Sequence, residues 1–250
     1  MNEAEDWQLW AKRPEQEMKC NIERINGSLP EMESTKQLVK LISDVYEPDM
    51  KVLDVGCNVG HYLLGLRNKF LELDYTGVDA YEVYIENARK AFSNDPNANF
   101  EVKDILKSIY PDDPRDISYC CNVIIHLPDF RRAVTNLLAS TKKVCFIRTL
   151  LGERTSIVKI PEKAIFDEEG SPLDYYYYNT WEKNYFIDFV KNLGWHTELI
   201  EDEFNPDLIK NEYDGIKENI GTTVMNNKQV IGNIICNWVW AKITPINSTE

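Results

Sequence analysis

Lys51-Val-Leu-Asp-Val-Gly-Cys-Asn-Val-Gly-His61 is the stretch on which the reading of the fold turns. Val52, Leu53 and Val55 make a short apolar run of strand length, and Gly56 ends it. Beyond the turn, Tyr62, Leu63, Leu66 and Phe70 recur at helical spacing. A strand, a glycine turn and a helix start together form a nucleotide cradle. The first glycine allows a sharp turn, and a later one lets a ligand approach the backbone. Asn58 stands where a further glycine is expected, and asparagine tolerates the left-handed conformation better than most residues.

The next apolar run, Tyr75-Thr-Gly-Val-Asp79-Ala80, ends in a carboxylate suited to the two hydroxyls of a ribose. A nicotinamide fold also wants an acidic residue about 20 positions past its glycines, so the glycines must separate the two readings. The hydride-carrier pattern G-x-G-x-x-G requires glycine at 56, 58 and 61, where the chain has Gly56, Asn58 and His61. The pattern acidic-x-G-x-G-x-G is met by Asp54, Gly56 and Gly60 and departs only at Asn58. The segment resembles motif I of the class I S-adenosylmethionine-dependent methyltransferases. That resemblance implies S-adenosyl-L-methionine as cofactor, released as S-adenosyl-L-homocysteine. It places Asp54, Gly56, Cys57, Asn58, Gly60, Asp79 and Ala80 around the donor.

Composition narrows the alternatives. A chain of 250 residues, 43% hydrophobic and 28% charged, is ordinary for one large α/β domain. No apolar run approaches the roughly 18 residues of a membrane span, and the acidic start Met-Asn-Glu-Ala-Glu-Asp6 has no signal core behind it. The expected location is the cytoplasm. A formal charge of −13 without a basic block argues against nucleic acid, whose phosphates are held by clustered Lys and Arg. Cys20, Cys57, Cys120, Cys121, Cys145 and Cys236 show no C-x-x-C spacing and read as buried free thiols.

The remaining elements extend the pattern on both sides. Residues 1–32 form an N-terminal arm in which Trp7 and Trp10 either pack or cover the mouth of the site. Residues 33–245 form the main domain. Leu38, Leu41, Ile42 and Val45 mark its first helix, and Ile85, Ala88 and Phe92 mark the helix after Asp79. Asn99–Ile105 is a strand ending in Asp104, similar to the family's adenine-binding motif, which implies that Asp104 and Ile105 hold the base. Asp116–Ile125 is an apolar strand leading into His126-Leu-Pro-Asp129, a turn found in small-molecule members, and the resemblance puts Cys120, Cys121 and Asn122 at the donor's methionine end. Phe130–Leu138 continues as a helix and Lys143–Leu151 as the fifth strand. Five strand–helix alternations specify a doubly wound, mostly parallel sheet, whose ligand sits at the carboxyl ends of the strands.

Residues 152–179 are expected as an insertion over that edge, with Tyr175 and Tyr177 on one strand face and Tyr176 and Tyr178 on the other. Substrate binding is assigned to Tyr175 and Tyr177, with Arg148 and Trp10, although Arg148 could equally pair with one of the many acids; dimer contacts are the insertion's other reading, making a homodimer the expected oligomer if there is one. Thr180 is expected to cap a helix from Trp181 to Leu193. Trp195–Glu203 and Val230–Ile243 complete seven strands, the last antiparallel, with 204–229 an unassigned insertion between them.

Methyl transfer is an in-line displacement in which the protein aligns nucleophile, carbon and sulfur and excludes water. An acceptor hydroxyl must also shed a proton, for which histidine is suited. Of the chain's three histidines, His126 is the catalytic candidate beside the fourth strand, His61 neighbours the donor and His196 is structural. His126 and Asp129 straddle Pro128 with no third ligand, so no metal is expected. The expected function is methyl transfer to a small-molecule hydroxyl, such as a sugar, sugar nucleotide or natural product. A protein or peptide methyltransferase, a non-catalytic donor-binding protein and a nicotinamide oxidoreductase are the rivals.

Overall fold

The structure, a computed structural model, describes residues 14–161, 165–173, 175–205, 222–226, 228–231 and 233–246. The arm before residue 14, with Trp7 and Trp10, and most of 204–229 lie outside the described residues. Two helices lead in, α1 (Pro14–Ile25) and α2 (Glu33–Ser43), followed by β1 (Lys51–Val55), α3 (His61–Lys69), β2 (Asp74–Asp79), α4 (Glu82–Ala91) and β3 (Ala98–Val102). Then come β4 (Arg115–Cys121), a 3₁₀ turn at Ile124–His126, α5 (Arg131–Ala139) and β5 (Thr141–Gly152). Later in the chain, α6 (Lys183–Asn192) precedes β9 (Trp195–Glu201), and β13 (Trp238–Pro245) ends the described chain.

These strands form one sheet in the order β3-β2-β1-β4-β5-β13-β9, with β13 antiparallel to both neighbours. Strand alternation divides the core in two. Leu53, Cys120, Ile147 and Ala241 face α5 and α6, where Val134, Leu137, Phe186 and Val190 are buried. Val52, Tyr119, Phe146 and Trp240 face the other way, toward Leu38, Ile42, Leu63 and Leu66 of α2 and α3. Successive side chains on a strand point to opposite faces, so near-continuous apolar strands are what a sheet covered on both sides demands. Gln37 locks α2 to the far edge. Its Nε2 donates to the Glu201 carbonyl at 2.8 Å, and its Oε1 accepts from Trp240 Nε1 at 2.9 Å.

The second half of the chain differs in detail from the expected elements. The helix after the tyrosines begins at Lys183, because Glu182 rather than Thr180 caps it, accepting from the Asn184 and Tyr185 amides, while Trp181 lies in β8 (Trp181–Glu182) against β5. The insertion after β5 contains an antiparallel pair, β6 (Lys159–Pro161) with β7 (Tyr175–Tyr177). The seventh strand starts at Trp238, not Val230, because the preceding residues form a separate meander of β10 (Thr222–Met225), β11 (Lys228–Ile231) and β12 (Ile234–Cys236). Asn226-Asn227 and Gly232-Asn233 are the two-residue hairpin signals that foretell it, and Asn226 has φ +49°.

Candidate functional site

The first turn is tied down from both sides. Gly56 has φ +81°, and its amide and that of Cys57 donate to the Val78 carbonyl at 2.8 and 3.0 Å, joining β1's end to β2's. A Cβ on Gly56 would lie 2.2 Å from Val123 Cγ2, so only glycine fits there. Asn58, at φ +51°, holds the left-handed position that its sequence context asked of it, and its amide donates to Asp79 Oδ2 at 2.9 Å. Motif and carboxylate are thus joined directly.

These residues open onto a cavity of about 360 Å³ at the carboxyl edge of the sheet. Of the residues assigned to the donor, Asp54, Gly56, Asn58, Asp79 and Ala80 line it, as do Asp104, Ile105 and Cys121. Cys57 and Gly60 do not. Cys57 is buried in the core behind the turn, and Gly60, at φ +80°, starts α3 against the Phe100 ring, so both shape the turn rather than its surface.

Burial sets the electrostatics. Asp54 accepts from the Tyr75 and Tyr119 hydroxyls at 2.8 and 3.0 Å. Its carboxyl is pushed up to about 7, chiefly by burial, with the two tyrosines pulling the other way and Asp79 adding a rise. Asp79 is pushed up to about 6 by burial, against hydrogen bonds from the Asn58, Tyr81 and Ala80 amides. His61 also lines the cavity, and its basicity falls to about 3 through burial and then the Arg24 charge.

His126 stands on the opposite wall. Its Nδ1 lies 2.8 Å from the Tyr177 carbonyl, which can only accept, so Nδ1 carries the proton and the neutral ring keeps its lone pair on Nε2. Burial lowers its pKa to about 4. Tyr178 meets this ring edge-on at 5.5 Å and lines the cavity.

The substrate assignments need correction. Tyr175 and Tyr177 do share a face, but they pack on each other at 5.4 Å with Lys159 over Tyr175, away from the cavity wall. The other face, carrying Tyr176 and Tyr178, turns toward His126. Arg148 is engaged inside the protein: it forms a two-point pair with Asp202, donates to Asn122 Oδ1 at 2.7 Å and stacks on Trp238. Trp10 lies outside the described residues. The wall that replaces them includes Gln229, Ile231 and Trp238, and Asn21 enters from α1.

The cavity suits an adenosyl amino acid. Asp79 faces it as a ribose acceptor would, and Asp104 and Ile105 stand one strand further along for a base. His61 Nδ1 and, one turn beyond Asn21 on α1, Arg24 Nε are buried without a hydrogen-bond partner among the described residues. Of the two, His61 lines the cavity, beside the amides that open α3, and Arg24 is not on its wall.

The sequence matches a family described as "Methyltransferase domain" over residues 52–143. It is 34% identical over 106 residues to phosphoethanolamine N-methyltransferase 3 of Arabidopsis thaliana, covering 40% of this chain and 21% of that protein. It is 29% identical over 111 residues to trans-aconitate 2-methyltransferase of Variovorax paradoxus, covering 44% of this chain and 42% of that one. The match to the plant enzyme thus spans about a fifth of its length. Among solved structures, a Haloferax volcanii protein in complex with a methyltransferase activator superposes with TM-score 0.59 at 15% identity, over 96% of this chain and 97% of that one.

Proposed function

We propose, for a chain that belongs to the class I S-adenosylmethionine-dependent methyltransferase superfamily, methyl transfer to a small molecule that brings its own lone pair. The observation that carries this reading is the convergence of the Gly56 turn, Asp79, Asp104 and His126 on one cavity. S-adenosylmethionine supplies an electrophilic methyl group on a sulfonium centre. Asp79 and the Asn58 turn bind the nucleoside part, Asp104 and Ile105 the base, and His61 with the amides that open α3 the amino-acid carboxylate. Tyr178, Ile125 and Trp238 keep water from the acceptor side.

His126 narrows the acceptor. Burial lowers the proton affinity of His126, so His126 is a weak base for a hydroxyl of water-like acidity. His126 therefore serves better to position an acceptor than to ionise a sugar hydroxyl. An amine, a ring nitrogen or an acidic hydroxyl needs no such base. The names of the two matched enzymes, one an N-methyltransferase and one acting on a carboxylic acid, are in keeping with this.

Two measurements test the proposal. S-adenosylhomocysteine should bind with calorimetrically visible heat where nicotinamide dinucleotides do not. Isotopically labelled donor should then pass its methyl group to members of an amine and phenol panel before any sugar. His126→Gln should reduce that transfer at least tenfold, with S-adenosylhomocysteine affinity within twofold. Methylation of sugar alcohols in preference to amines and phenols would overturn the acceptor class, and no binding of S-adenosylhomocysteine would overturn the whole reading.

A further inference from the structure

One carboxylate on the cavity wall is gripped from behind and open in front. Asp54 projects from β1 between two tyrosines on the neighbouring strands. Tyr119 of β4 stands directly opposite Asp54, and Tyr75 of β2 stands opposite Val52, one place back on the same face. Both hydroxyls donate to the same oxygen, Oδ2, at 2.8 and 3.0 Å. Both tyrosines are fully buried and Asp54 is 2% exposed, yet Asp54 lines the cavity. Oδ1 is thus the oxygen left to face it, and among the described residues it accepts no hydrogen bond. Lys103, which shares the wall, is engaged elsewhere. Its Nζ donates to the Ile109 carbonyl at 3.2 Å, lies 3.7 Å from Glu101 and covers the Tyr110 ring. The other two carboxylates on the wall accept from backbone amides, Asp79 from Asn58 and Tyr81, and Asp104 from Leu106.

Resting on the methyl-transfer reading above, we propose that Tyr75 and Tyr119 are positioning residues for the donor: by holding Asp54 Oδ2 together, they leave Oδ1 to accept from the ammonium of its methionine part. A buried carboxylate is costly until a cation answers it, and the free oxygen is where that cation fits. An amino-acid end carries two opposite charges, and the groups that suit them lie on one face of the sheet. Asp54 shares its face with Val52, Tyr75 and Tyr119, the face on which α3 packs, and His61 opens α3. The acceptor-side residues Ile125 and Tyr178 belong to a separate cluster. The tyrosines set charge as well as aim, because a hydroxyl donating to a carboxylate favours its ionised form. Asp79 opposes them, and the thiols of Cys57, Cys120 and Cys121 are the other titratable groups that feel Asp54.

The probes are S-adenosylhomocysteine and its deamino analogue, in which hydrogen replaces the α-amino group. Each is titrated calorimetrically into the full chain, and the ratio of the two affinities is the readout. A hydrogen bond between charged groups corresponds to about tenfold or more in affinity, which is the advantage expected for S-adenosylhomocysteine in the wild-type protein. Asp54→Asn removes the charge and should cut that advantage to about threefold. Tyr75→Phe with Tyr119→Phe keeps both rings and leaves Asp54 in place, yet should cut it to about threefold as well. Each single variant retains one hydroxyl and should fall between, which decides the matter if the double variant does not fold. In the Phe variants the advantage should also develop at a higher pH than in wild type, a change that packing alone does not produce. Phe variants that weaken both ligands equally show the tyrosines to be core packing and overturn the proposal. A wild-type protein that binds the two ligands alike, or an Asp54→Asn variant that keeps the full advantage, overturns it too. Absence of S-adenosylhomocysteine binding sinks instead the methyltransferase reading, and this proposal with it.

Discussion

Arg148 and Asp202 meet in a two-point ion pair, Nε to Oδ1 at 2.6 Å and Nη2 to Oδ2 at 2.9 Å, with 8% and 7% of their side chains exposed. The pair joins the end of the sheet to the acceptor wall, because the same guanidinium carries Asn122 and Trp238. Arg148's affinity for its proton is raised by Asp202 against the opposing effect of burial, so it remains charged throughout the working pH range.

Removing one partner of this pair should therefore cost far more than removing both. Asp202→Ala leaves a buried, unpaired guanidinium, a change worth about 3–5 kcal/mol. That is a large part of the ~5–15 kcal/mol that holds a typical domain together. Arg148→Met with Asp202→Leu replaces the pair by apolar volume and should recover most of the loss. Urea unfolding of the three proteins checks this. A double variant no more stable than Asp202→Ala would mean that Arg148 matters for its bond to Asn122 and its stacking on Trp238, not for its charge pair.

The pH dependence follows from Asp54 and Asp79, raised to about 7 and about 6 chiefly by burial from the ordinary 3.8. A raised carboxyl binds its proton more tightly in the folded chain than in the unfolded one. Its contribution to stability is present below about 3.8 and is lost as pH rises through about 6 and then about 7. Donor binding runs the other way. S-adenosylmethionine carries net positive charge, and ribose hydroxyls donate to carboxylates, so both features favour the ionised forms. Donor affinity should rise between about pH 5 and about pH 8, with protons released on binding near pH 6. Calorimetry in two buffers of different ionisation heat measures that release. Proton uptake, or an affinity flat across the range, would remove both carboxylates from the donor's contacts.

What could be read from the chain, and what could not, divides along the sheet. Strands β1 to β5 and their helices show strong periods, so Asp54, Gly56, Asp79, Asp104 and His126 could be placed at one edge before any coordinates. Alternation also paired Tyr175 with Tyr177 and Tyr176 with Tyr178, but period two does not say which face turns inward. That depends on how the β6–β7 ribbon docks on Ile125, a contact with Tyr176, Tyr178 and Ile160 far apart in sequence. An acidic partner was one of two readings open for Arg148, but which acid was hidden, since Asp202 lies 54 residues away. Gln229 sits on a four-residue strand too short to have a period, and the Asn-Asn and Gly-Asn turns around the meander were the signal that marks it.

Gly56 gives the sharpest test of the cradle. Gly56→Ala faces two penalties: a left-handed φ of +81°, and a Cβ 2.2 Å from Val123 Cγ2. Gly170 has the same backbone conformation, φ +83°, with nothing within 4 Å of a new Cβ. Gly170→Ala therefore isolates the backbone strain, about 1–2 kcal/mol, and should leave S-adenosylhomocysteine affinity unchanged. Gly56→Ala must also displace Val123, which lines the cavity, so it should lose at least tenfold in that affinity. Adding Val123→Ala removes the clash but not the strain, and part of the lost binding should return. The three are compared by calorimetric titration alongside thermal unfolding. Wild-type affinity in Gly56→Ala would show that the ligand does not lie against this turn, and the donor site would have to be sought elsewhere along the sheet edge.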